Sequence, residues 1–187
     1  MGRIEELCDH YDRHISIPWQ KTISGAQRVI MVVYDKELER TVRARKAMFA
    51  AATEEAGHVW REIDLADAFA RWMAADDYRE EYFKNPDDIQ IKLDEEFSSF
   101  AAEEIRKALL ENDPVSADVL AVFGIGALFG FTRISRVIKM IEADIKGRLV
   151  MFFPGQVEKN NYRLLDARDG WNYLAVPITL HTEGGQL

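Results

Sequence analysis

The chain has a single cysteine, Cys8, and that scarcity closes off two kinds of site at once. No internal disulfide can form, and no multi-cysteine metal centre can be assembled. Cys8 shares helical spacing with Leu7 and Tyr11. Nothing near it in sequence lowers its pKa, so a buried, inert thiol is expected. Positive charge is also short: 24 Lys and Arg stand against 32 Asp and Glu, a net charge of -8. Charge-driven binding to DNA or to an anionic membrane needs the opposite sign. Long apolar runs are missing too. The longest uncharged one, Val119 to Phe131, has thirteen residues and three glycines, short of the roughly 20 that cross a bilayer. The opening Met-Gly-Arg-Ile-Glu-Glu-Leu lacks the apolar core of a secretory signal, so a cytoplasmic location and no membrane contact are expected. His10, His14, His58 and His181 fall on separate elements, with no His-Glu-x-x-His spacing and no nucleophile elbow, so no metal or triad chemistry is expected of them.

What is present is the composition of an ordinary globular protein, 48% apolar and 30% charged over 187 residues. That length predicts one domain over 1–187, with a helix and loop in 1–25 and a frayed tail in 182–187. Val29–Tyr34, Val59–Ile63, Val119–Phe123 and Leu149–Phe153 read as strands. The first and the last two are apolar without alternation, which suits strands covered on both faces. Helical spacing marks Ile4 to Ile15, Leu38 to Gly57, Leu65 to Trp72 and Leu93 to Leu109, the last closed by Asn112-Asp113-Pro114. It also marks Ile134 to Ile145, with Gly147 expected as a left-handed stop. Asp76 to Asp88 reads as a polar surface connection. Asp169-Gly170 is a turn dipeptide, and Tyr173–Ile178 predicts a hairpin arm or a short last strand. The alternation predicts an α/β fold, a mostly parallel sheet with helices on both faces, organised around the βαβ unit from Asp118 to Gly155.

Ligand sites in open α/β sheets lie beyond the carboxyl ends of the strands. Here those ends are Asp35, Asp64, the Gly124–Gly130 turn and Pro154-Gly155. Asp35 and Asp64 are positioned either as helix caps or as metal-binding or catalytic carboxylates, which leaves a metal-dependent hydrolase or nuclease as one reading. Gly124, Gly126 and Gly130 have one residue too many between the last two for a dinucleotide fingerprint, and Phe131-Thr132 stands where a Walker loop needs Lys-Ser or Lys-Thr. A phosphate cradle of backbone amides over Gly124–Thr132 stays as an alternative. Arg133, Arg136 and Lys139, with Lys146 and Arg148 beyond, form a basic ridge that is either solvated or a dock for an acidic partner. Trp171 and Tyr173 are core anchors or a docking spot.

Three stretches resemble one family: Phe123 to Ser135, Phe152 to Gly155, and Tyr162 to Ala175, with Tyr34-Asp35 and Ile63-Asp64-Leu65 agreeing. The family is BrxB, the small component of BREX bacteriophage-exclusion systems. The resemblance implies an accessory subunit, in a fold similar to P-loop domains that have lost the phosphate loop; no catalytic residues are established for the family to carry over, and none, nor any cofactor, is expected here. It also implies partners: the alkaline-phosphatase-like PglZ and other BREX components, with DNA reached only through the assembly. The expected role is a non-catalytic adaptor, and the candidate partner-binding residues are Phe129, Phe131, Arg133, Arg136, Pro154, Gly155, Trp171 and Tyr173.

Overall fold

Apolar strands without alternation can be buried only where helices cover both faces of a sheet, and the fold meets that demand. The computed structural model describes residues 2–111, 117–168 and 170–180. Its strands are β1 (Val29–Tyr34), β2 (Val59–Asp64), β3 (Asp118–Phe123), β4 (Arg148–Glu158), β5 (Asn161–Leu164), β6 (Trp171–Asn172) and β7 (Val176–Ile178). Five run parallel in the order β2-β3-β4-β1-β7. β5 pairs antiparallel with the far end of β4, and β6 with β5.

Helices α1 (Arg3–Ile15), α2 (Glu39–Ala44) and α3 (Lys46–Glu55) precede β2. Between β2 and β3 come α4 (Ala68–Ala74), α5 (Arg79–Lys84), the single turn α6 (Gln90–Lys92) and α7 (Ser98–Leu110), and α8 (Ile134–Ile141) crosses from β3 to β4. Every residue of β1 is buried, and its side chains alternate between two layers. Val29, Met31 and Val33 join the layer of α4, α7 and α8, while Ile30, Val32 and Tyr34 join that of α1 and α3. On α8, Ile134, Val137, Ile138 and Ile141 are buried, each contributing roughly 1.5–3 kcal/mol. On α1, Cys8 is buried, and desolvation, aided by the charge of Asp9, pushes its thiol up to about 11, so it stays protonated. β2, at the edge, is only partly covered. No helix among the described residues is long and apolar enough to cross a membrane.

Four expectations are corrected. The helix predicted from Leu38 to Gly57 breaks at Arg45 into α2 and α3, although Gly57, at φ 84°, does end it. The crossover helix stops at Ile141 and gives way to a 3₁₀ turn, Glu142–Asp144. Gly147 is not left-handed; it is a glycine because a Cβ there would sit on the Asp118 carbonyl oxygen, where β3 lies against β4. Pro154-Gly155 is no exit turn but lies inside β4, which continues to Glu158 and reverses at Lys159, held at φ 54°. The ladder to β3 has already ended at Met151, and the Pro154 carbonyl accepts the Leu165 N–H at 2.8 Å, so the proline breaks no pairing there. Asn112-Asp113-Pro114, Asp169 and the 182–187 tail lie outside the described residues.

Candidate functional site

Because five strands run the same way, Asp35, Asp64 and Gly124 all leave the sheet at one edge. The carboxylates on this rim are committed. Asp35 makes no cap bond and pairs with Arg3. Asp64 pairs with Arg43 (3.1 Å to Oδ1), and its Oδ1 also accepts the Ala66 N–H at 2.9 Å, closing a tight turn rather than capping α4. The Arg43 hydrogen bonds hold the Asp64 carboxyl below the usual carboxylate range. Asp166 pairs with Lys36. Asp35 and Asp64 are separated by β4 and β3, three strand spacings, or roughly 14 Å. The structure therefore does not bring the two carboxylates together, and each is engaged by an arginine of its own.

Four amides of the glycine turn are spent inside it: Ala127 N–H donates to Gly124 O (3.1 Å), Phe129 N–H to Gly126 O (3.2 Å), and Phe131 and Thr132 N–H to Leu128 O (3.0 and 3.1 Å). Gly124, at φ 78°, lies against Asp64 and Ala66, so the glycine serves the close approach of two exit turns. Leu128 is buried, whereas Phe129 is 46% exposed. Phe131 stacks on Phe69 (centroids 3.9 Å apart) and is half-buried. Arg133 precedes α8, Arg136 and Lys139 stand on its exposed side, and none of the three forms an ion pair among the described residues.

The remaining candidates divide. Pro154 and Gly155 are buried in β4. Trp171 packs against Tyr162 (5.3 Å) and Phe153 (6.4 Å), and Tyr173 is 6% exposed with its hydroxyl donating to Glu142 Oε1, so this pair anchors the core. The rim thus presents Phe129, Arg133 and Arg136, and no longer the whole set of eight. The basic ridge also splits: Arg148 is buried rather than solvated. Beside β1 and β7 a cleft of about 530 Å³ opens between Arg3, Asp35, Arg163 and His10. The His10 ring donates Nδ1–H to the Thr179 carbonyl (2.7 Å), since a carbonyl can only accept, and is held by it. No group of three or more His, Cys, Asp or Glu among the described residues could hold a metal ion.

A family model described as BREX protein BrxB matches residues 61–178, from β2 to β7 and more than half the chain. No curated protein and no solved structure matches. The chain belongs to the BrxB family.

Proposed function

We propose that this BrxB-family chain serves its BREX system as a non-catalytic docking subunit, with a PglZ-like phosphatase-fold protein as its direct partner. The observation that carries the reading is the pairing of Phe129, 46% exposed, with Arg133 and Arg136, which have no acidic partner among the described residues. An exposed aromatic ring flanked by free guanidinium groups is the composition of an interface hot spot. The neighbouring carboxylates on the rim are occupied by their own cations, which suits a surface that binds and does no acid–base work. Arg133 and Arg136 select for an acidic patch on the partner. The protein therefore works inside the cell, and reaches DNA only through the assembly.

The test is affinity co-purification of the full chain with PglZ and the other BREX proteins from the same operon. Wild type should retain PglZ, and Phe129→Ser with Arg133→Glu should lose it while keeping the wild-type circular dichroism spectrum. Failure of the wild-type chain to associate with any BREX protein defeats the docking role. Retention by the double variant moves the interface elsewhere.

A further inference from the structure

Arg148 opens β4 at the amino end of the sheet, opposite the rim, and is only 7% exposed. Its guanidinium lies over the Trp19 ring, 4.4 Å from the centroid, and Trp19 also stacks on His58 at 3.7 Å with the planes 11° apart. Among the described residues the guanidinium makes one hydrogen bond, from Nη1 to the Gly147 carbonyl (3.0 Å), and no ion pair. Lys21, Arg28 and Lys146 line the same cleft, which has a volume of about 920 Å³. The one carboxylate lining it among the described residues, Glu142, accepts the Tyr173 hydroxyl. His58 Nδ1 is buried without a hydrogen-bond partner among the described residues. Burial, then the charge of Arg28, push the Arg148 pKa below the usual arginine range. A buried cation without a counter-ion is costly, and stacking on Trp19 offsets only part of that. In a chain of net charge -8, four Lys and Arg around one opening, with one engaged carboxylate among the described residues, form a site suited to an anion.

We propose that this cleft is a binding site for a small oxyanion, phosphate being the best match, with Arg148 as its floor and Lys21 and Lys146 closing over the bound ion. A guanidinium held over an indole keeps N–H groups free to donate to phosphate oxygens, and the flanking ammonium groups neutralise the second charge. The opening has the volume of small-molecule pockets. With only 7% of Arg148 exposed, the site favours a phosphate that is free or carried on a small molecule over one in a nucleic-acid backbone. The inference is independent of the docking role at the other end of the sheet.

Titration calorimetry of the full chain at constant ionic strength tests it, with inorganic phosphate, a nucleoside diphosphate and acetate as probes. Phosphate or the nucleoside diphosphate should bind in the millimolar range or tighter, and at least about tenfold more tightly than acetate. Whichever of the two is tighter identifies the source of the phosphoryl group. Lys21→Ala with Lys146→Ala, both exposed positions, should weaken binding about tenfold or more, and Arg148→Lys should abolish it, whereas Arg133→Ala with Arg136→Ala should leave it unchanged. No phosphate-specific binding in the wild type, or equal weakening by the rim variant, overturns the site. So does full binding by the Lys21, Lys146 double variant.

Discussion

The two ends of this sheet treat charge in opposite ways. At the carboxyl end, Asp35, Asp64 and Asp166 each meet a cation, Arg3, Arg43 and Lys36. At the amino end, Arg148 is buried over Trp19 with Arg28, Lys21 and Lys146 around it, and the described residues supply it no carboxylate. The carboxyl end is where α/β sheets ordinarily hold ligands. Here its carboxylates are already paired within the chain, and what it shows outward is an aromatic ring and arginines that have no ion pair among the described residues. The lesson is that topology nominates an end of the sheet, but the unspent charge decides which kind of partner each end can take.

The comparison breaks most visibly at glycines. Gly147→Ala forces a methyl group onto the Asp118 carbonyl and pries β3 from β4, so the urea midpoint should fall by the equivalent of roughly 3 kcal/mol. Gly130→Ala, at φ 83° with open space around it, should cost only about 1–2 kcal/mol; equal losses would mean that close approach is not what fixes Gly147. Next, Arg148→Met should raise the stability of the ligand-free protein by about 1 kcal/mol, because an apolar side chain of similar reach removes an uncompensated buried charge. A loss there would show that Arg148 is held for structure and has a partner. At the rim the sign reverses: Arg43→Ala should lower stability, by less than about 1 kcal/mol since both partners are substantially exposed. Asp64 has a folded-state pKa below its ordinary value, so the Arg43 contribution is fully present above pH 4 or so and fades as pH falls through the folded value. Wild-type and Arg43→Ala denaturation curves should therefore converge in acid. Smallest of all, Phe129→Ser should shift stability by no more than about 0.5 kcal/mol, because its ring is already half in water.

Much of the architecture was legible. The unalternating runs at Val29–Tyr34, Val119–Phe123 and Leu149–Phe153 gave buried strands, and the isoleucines of 134–141 gave the buried face of α8. The continuation of β4 was not legible, because Pro-Gly is a turn signature in isolation and only the end of β3 pairing at Met151 makes a proline harmless there. The basic ridge was legible as composition, but the burial of Arg148 was not. Trp19, His58 and Arg148 are far apart in sequence, and only the strand order brings them into one stack. Asp35 and Asp64 are the converse case: both stand at strand ends, as their spacing from the apolar runs says, yet the sheet inserts β3 and β4 between them.

The strand order also has a temporal side. β1 is flanked by β4 and β7, both of which are made more than a hundred residues after it. During synthesis the hexapeptide Val-Ile-Met-Val-Val-Tyr leaves the ribosome with neither neighbour in existence, a situation that slows folding and invites misassociation. Chaperone supply during expression, and truncations that stop short of Ile178 and so bare the outer edge of β1, should govern how much usable protein a cell yields.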